Sequence, residues 1–128
     1  MADYTSTAGF QPSGRVPVEA HTASYTCTPA DFGKILTTRG AGAEVVFTLP
    51  AAVDNAGYWI EFYSVADQNM KIAAVAGEMV HIDDLTGNSI SFETASEKIG
   101  GAFRAVCDGT SWLVVPMATE TQTITLTT

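Results

Sequence analysis

The sequence predicts an all-β fold, a small β-sandwich or jelly-roll-like domain with an extended N-terminal arm. Short runs of β-branched and aromatic residues recur from Tyr25 onward, and Gly, Pro, Asp and Asn separate them. No convincing stretch shows the apolar period of an amphipathic helix. A chain of 128 residues fits one domain. We expect an arm over residues 1–24, a body over 25–117 and a Thr-rich strand or tail over 118–128.

The arm is predicted to be extended because Pro12, Gly14 and Pro17 exclude a regular helix. A frayed terminus is the alternative. A segment with two aromatic residues and little charge is not typical of solvated disorder, however, so we expect the arm to lie on a neighbouring subunit. The candidate partner-binding residues are its apolar side chains, Tyr4, Phe10, Val16 and Val18.

Four strands are predicted in the first half of the body, at Tyr25–Thr28, Lys34–Thr38, Glu44–Leu49 and Tyr58–Val65. A turn at Ala30–Gly33 and a break at Gly40–Gly42 separate the first three, and Pro50 ends the third. The fourth strand is apolar on both faces except at Glu61. This pattern predicts a strand that is buried on both sides, or one whose outer face meets another chain.

Five more strands are predicted in the second half, at Met70–Val75, Glu78–Ile82, Ser89–Phe92, Gly101–Cys107 and Thr110–Val115. Turns are expected at Asp67–Asn69 and Thr86–Asn88. Asp108 and Gly109 lie between the last two runs, and this pair is a strong hairpin signal. Over 118–128, Thr alternates with Ile124 and Leu126, which is typical of a strand with one apolar face.

Composition and charge exclude some classes of partner. The net charge is −8 and only 16% of residues are charged. The six basic residues are scattered, so the clustered Lys and Arg that bind phosphate are missing, and we expect no nucleic-acid or anionic-membrane partner. Neither a signal peptide nor a membrane-spanning run is expected. The low charge indicates burial against a partner or against further copies, or alternatively a compact domain with a Thr- and Ser-rich surface.

Motifs that would carry catalysis or bind a cofactor are missing from the sequence. His21 and His81 lack the clustered ligands of a metal site, and His81, between two apolar residues, is expected on the outer face of its strand. The acidic segment 83–88 lacks the ligand order of a calcium loop. We therefore expect no metal, no cofactor and no enzyme activity. Cys27 and Cys107 are expected to be reduced thiols in the core.

A series of short motifs leads to a family resemblance. It comprises a turn (ADFGKIL), a Gly-rich break (RGAGAE), a strand ending in Pro (VVFTLP), an aromatic strand (YWIEFY) and a late hairpin in which Asp-Gly precedes Trp (VCDGTSWLVV). From Thr26 to Val115 this order resembles a domain pattern of tailed-bacteriophage structural proteins. The chain is similar to a free-standing copy of that domain with an added arm and tail, which favours the capsid decoration (cement) type.

The resemblance implies a non-enzymatic protein on the outside of a phage capsid. Its expected partners are the major capsid protein and further copies of itself, as a trimer rather than a dimer. The alternative is a receptor- or glycan-binding module of a tail tip or fibre, with sugars stacking on Tyr58, Trp59, Tyr63 and Trp112. A third hypothesis, a small hydrolase, requires His21 or His81 beside a nucleophile.

Overall fold

The computed structural model describes residues 14–118 and 121–128. Within these ranges the chain forms twelve β-strands and one short 3₁₀ helix, Pro29–Asp31. The strands form two packed sheets, so the predicted all-β sandwich is confirmed. Both sheets are mixed, which alternation of apolar and polar residues does not predict.

One sheet has seven strands and the other has five. The seven-stranded sheet has the spatial order β1 (Val18–Ala20), β3 (Ile35–Thr37), β5 (Trp59–Tyr63), β10 (Ala102–Cys107), β11 (Trp112–Met117), β7 (Met79–His81) and β8 (Asp84–Gly87). The five-stranded sheet has the order β12 (Thr125–Thr127), β9 (Ser89–Phe92), β6 (Met70–Ala73), β4 (Val45–Thr48) and β2 (Tyr25–Thr26).

The first half of the chain passes from one sheet to the other after every strand. As a result β1, β3 and β5 are parallel neighbours in the larger sheet, while β2, β4 and β6 are parallel neighbours in the smaller one. The second half adds mainly antiparallel strands, including the hairpin of β10 and β11. Parallel neighbours need a crossover connection, and here the opposite sheet supplies it.

The hairpin predicted from Asp108 and Gly109 is confirmed. Strands β10 and β11 pair antiparallel, and Cys107 lies opposite Trp112. The loop spans residues 108–111, and Gly109 has φ 91, a left-handed conformation that glycine adopts without strain. Alternate residues of both strands point inward, so the expected buried positions of this hairpin are also confirmed.

Aromatic side chains join the two sheets across the core. Phe47 of β4 lies 5.0 Å from Phe62 of β5, measured between ring centroids. Both rings are fully buried, and so is the side chain of Trp112. The Trp112 Nε1 donates a hydrogen bond of 2.7 Å to the Pro50 carbonyl. Burying one such side chain contributes roughly 1.5–3 kcal/mol. Cys27 and Cys107 are both buried free thiols, as predicted.

Two predicted turns differ from the structure. The turn expected at Ala30–Gly33 overlaps the 3₁₀ helix. At Thr86–Asn88 the sequence predicts a turn, but the first two of these residues belong to β8, and only Asn88 separates β8 from β9. The real turn lies between β7 and β8, where Asp83 adopts φ 59. Aspartate tolerates this left-handed conformation better than most residues do.

The arm and the tail both contribute strands. Residues 18–20, which the sequence assigns to the arm, form β1 and pair in parallel with β3. Residues 125–127 of the tail form β12 and pair with β9. Tyr4 and Phe10 lie outside the described residues.

Candidate functional site

The face of the seven-stranded sheet that points away from the core is apolar. Strand register places its side chains in three lateral rows. We define this outer face by its largest side chains: Val18, Ile35, Trp59, Glu61, Tyr63, Val80, Arg104, Val106, Leu113, Val115 and Met117. Val18 is 61% exposed and Val115 is 58% exposed, while most of the others are partly buried by their neighbours. A sheet face on which most side chains are apolar is typical of a surface that meets another macromolecule.

One ion pair lies in the middle row of the outer face. Arg104 Nη1 is 3.6 Å from Glu61 Oε2, and the Arg104 guanidinium lies over the Trp59 ring, 5.3 Å from its centroid. The Tyr63 hydroxyl donates to Glu61 Oε1 at 3.1 Å. Burial and this hydrogen bond raise the pKa of Tyr63. The carboxylate and the guanidinium neutralise each other, so the outer face has no net charge.

The opposite surface of the sandwich is polar. Most side chains that point away from the core on the five-stranded sheet carry hydroxyls. The register aligns Thr26, Thr48, Ala73, Ser89 and Thr127 in one row, in which Ser89 is itself buried. Lys71 lies in the next row and forms a 3.9 Å ion pair with Glu93. Because this surface is suited to water, the outer face of the other sheet is the better candidate for docking.

Strands β7 and β11 separate at one end of the outer face. Their pairing ends at Val80 opposite Leu113. Trp112 N donates a hydrogen bond of 2.7 Å to Glu78 O, so the backbone N–H of Trp112 points toward β7. Backbone groups alternate in direction along a strand, and the backbone nitrogen of Pro116, four residues later, therefore also points toward the β7 side. No described strand pairs with β11 on this side at Pro116. Proline, which has no backbone N–H, therefore costs the sheet no hydrogen bond at this position.

The separation opens an apolar concavity of about 390 Å³, which we call the β7–β11 groove. Its lining residues are Val80, His81, Ile82, Leu113, Val114, Val115 and Pro116. Ile82 is 51% exposed and His81 only 4%. The His81 Nε2 lies 3.2 Å from the Thr127 carbonyl, while Nδ1 is buried with no hydrogen-bond partner.

The expectation that His81 lies on the outer face is wrong. Its ring points inward and contacts Gly87, where a Cβ atom would lie 2.3 Å from Nε2. The apolar residues on either side of His81 point outward instead. The prediction failed because it assumed that apolar residues of a strand face the core, whereas here the outer face is itself apolar.

A buried polar network joins β1 to the start of β3. Asp31 is 1% exposed and accepts hydrogen bonds from the Tyr25 hydroxyl at 3.0 and 2.9 Å. Lys34 Nζ lies 2.6 Å from Glu19 Oε2 and 3.5 Å from Asp31 Oδ1. His21 stacks on the Tyr25 ring at 4.1 Å and lies 3.2 Å from Glu19 Oε1.

The pKa shifts in this network favour the protonated forms. Burial and the Asp31 carboxylate raise the pKa of Tyr25 to about 12. The hydrogen bond to Glu19 raises the pKa of Lys34. The contacts of Lys34 with Glu19 and Asp31 link β1 to the segment before β3. Neither described histidine is hydrogen-bonded to a hydroxyl or thiol, which is the contact that the hydrolase hypothesis requires.

Among residues 14–118 and 121–128, no group of three or more His, Cys, Asp or Glu is arranged to hold a metal ion. In the same ranges no helix is long and apolar enough to cross a membrane.

The structure separates the sequence-predicted site residues. Val16 is 40% exposed and precedes β1, and Val18 lies on the outer face. The aromatic residues proposed for sugar stacking do not form one platform. Trp112 is in the core, Tyr58 stacks on Phe32 at 4.1 Å, and only Trp59 and Tyr63 lie on the outer face.

Most residues of the outer face, including Val106, Leu113 and Val115, are not among the residues that the sequence predicts to bind a partner. Strand β11 is an almost continuous apolar run, WLVVPM. Such a run predicts a strand that is buried on both faces, so the apolar outer side of β11 could have been predicted from the sequence. No protein-family model matches the sequence, and no curated protein matches it.

Proposed function

We propose that this chain is a non-enzymatic virion structural protein that docks on the outside of a phage capsid and stabilises it. The outer face of the seven-stranded sheet carries the proposal, because it is a mostly apolar sheet surface with no net charge. The major capsid protein is the proposed partner, and the virion surface the proposed location.

Charge supports docking through this face. The chain carries 14 acidic and 6 basic residues, so most of its surface has a negative potential. The outer face holds one carboxylate, Glu61, and Arg104 neutralises it. An acidic partner surface is therefore repelled least at this face. Many copies on a symmetric shell multiply a weak contact by avidity, so each copy needs only moderate affinity.

The test is co-sedimentation of the purified chain with empty shells of the major capsid protein from the same source. Val18→Lys places a charge on the outer face, and Val53→Lys places the same charge on a residue that is 64% exposed and lies in the loop between β4 and β5. We expect wild type and Val53→Lys to sediment with shells and Val18→Lys to bind more weakly. Equal binding by both variants, or no binding by wild type, would contradict the proposal.

A second candidate is a glycan-binding module of a tail tip. Trp59, Tyr63 and the Glu61–Arg104 pair favour it, because an aromatic ring beside paired polar groups is suited to a sugar ring. A glycan array tests this candidate. Binding that is lost in Trp59→Ala and kept in Tyr58→Ala would favour it over the capsid proposal.

A further inference from the structure

We propose that residues 1–13 of one copy bind the β7–β11 groove of a second copy. The proposal goes beyond docking on a shell, because it identifies the contact between copies. Three observations support it: the apolar groove, the composition of the N-terminal segment, and the places where the segment and the groove lie on the sheet.

The groove is suited to an apolar side chain. Six of its seven lining residues are apolar, and the seventh is His81. A volume of about 390 Å³ is within the range of sites that hold small organic groups.

Residues 1–13 have the matching chemistry. Asp3 is their only charged side chain, and Tyr4 and Phe10 are large aromatics. This segment is therefore less acidic than the chain as a whole, which has a net charge of −8. It can approach an acidic second copy with little repulsion.

Position on the sheet favours a second copy as the occupant. The segment precedes β1, at one lateral edge of the seven-stranded sheet, and the groove lies toward the opposite edge. Extended, 13 residues span roughly 43 Å, so length permits either copy. In a head-to-tail arrangement, however, the β1 edge of one copy adjoins the β7–β8 edge of the next. The segment then reaches the groove without covering its own outer face.

Such a contact is heterologous, and it closes into a ring when the rotation between copies allows. A closed ring gives every groove an occupant, and it also covers the sheet edges at β1 and β8. The expected trimer is one arrangement of this kind. Docking on a shell then uses the part of the outer face that lies outside the groove, from Val18 to Arg104.

Disulfide trapping tests the proposal on the full chain. Two differently tagged chains are co-expressed and oxidised, one with Tyr4→Cys or Phe10→Cys and the other with Ile82→Cys. The native Cys27 and Cys107 are buried and stay out of the reaction. We expect a disulfide-linked dimer that contains both tags. The matched control replaces Ile82→Cys with Val53→Cys, which is exposed but does not line the groove, and should give much less of this dimer.

Solution mass supplies a second readout. Wild type should be an oligomer by light scattering, and the double variant Tyr4→Ser/Phe10→Ser should shift to monomer with an unchanged circular dichroism spectrum. An oligomer that survives the double variant would overturn the proposal. The proposal would also be overturned if neither arm cysteine formed the mixed dimer. A third variant carries Phe10→Cys and Ile82→Cys in the same chain, and a disulfide that formed only within that chain would overturn it as well. No shell is present, so this result is independent of the docking test.

Discussion

Phe92 of β9 and Phe103 of β10 stack across the two sheets with ring centroids 4.7 Å apart and an interplanar angle of 29°. Both side chains are fully buried. Since the two strands belong to different sheets, this contact stabilises the sandwich itself rather than either sheet alone. It also constrains the backbone at Gly101, directly before β10.

The stacked pair should be energetically coupled. We expect a double-mutant cycle with Phe92→Leu and Phe103→Leu to give a coupling free energy of about 0.5–1.5 kcal/mol in urea unfolding. The control cycle pairs Phe92→Leu with Phe32→Leu, because the ring contacts of Phe32 are Tyr58 and Trp112. Equal coupling free energies in the two cycles would show that stacking of Phe92 on Phe103 contributes no specific stabilisation.

Gly101→Ala should destabilise the protein by about 1–3 kcal/mol. A Cβ atom at this position would lie 2.7 Å from Phe92 Cε2, and the buried ring has little space to move. The matched control is Gly42→Ala, where a Cβ atom meets nothing within 4 Å. Urea unfolding of both variants measures the difference. Equal stability of the two variants would contradict the close approach.

Asp108 should titrate below its usual pKa of 3.8. Its Oδ1 accepts hydrogen bonds from the Ser111 and Thr110 amides at 2.8 and 2.9 Å, and these bonds favour the ionised form. Ionised Asp108 therefore stabilises the folded protein above pH 3.8, the usual pKa of the side chain. This stabilisation is lost as the pH falls through the lower pKa that Asp108 has in the folded state. NMR titration of the side chain measures this pKa directly.

The same bonds predict a stability effect. Asp108→Ala should lower the free energy of unfolding at neutral pH, and the difference from wild type should shrink in acid. Asp67→Ala, at an exposed aspartate of another turn, is the control and should change little. If the difference in unfolding free energy between wild type and Asp108→Ala stayed the same in strong acid, ionisation of Asp108 would be excluded as its cause.

Alkaline pH should destabilise the fold through Cys27. Burial, and then the nearby Asp31 charge, raise the pKa of its thiol from 9.0 to about 12. Above pH 9.0 the unfolded thiol loses its proton while the folded thiol keeps it, so the unfolding free energy falls up to about pH 12. Below this window Cys27 contributes no pH dependence.

Cys27→Ala should flatten this alkaline decline, although its small cavity lowers stability at every pH. Urea unfolding at several pH values within the window gives the two slopes. Part of the decline should remain in the variant, because the pKa of Tyr25 is also raised. Parallel profiles for wild type and variant would rule out the Cys27 contribution.

Much of the fold could be predicted from the sequence, because local signals determine it. Asp108 and Gly109 marked the β10–β11 hairpin, and the apolar run at Trp59–Tyr63 marked a central strand. Parallel pairing was not predictable, because side chains alternate in the same way in parallel and antiparallel strands. Which sheet receives each strand depends on crossovers that no short motif encodes.

The candidate site was predictable only in part. Val18 was singled out from the arm and lies on the outer face, but its neighbours on that face come from strands distant in sequence. His81 was misassigned because its strand has apolar residues on the solvent side. The space that accepts its ring comes from Gly87, six residues later, and only the folded chain brings the two together.

The contrast between the two sheet surfaces gives the molecule a polar axis perpendicular to its sheets. One end of this axis is lined by hydroxyl groups and the other by aliphatic and aromatic groups. Such a molecule should behave as an oriented surfactant at any boundary between water and a less polar phase. In a thin aqueous film, single copies should therefore adsorb with the seven-stranded sheet toward the air, and vitrified specimens should show one preferred viewing direction.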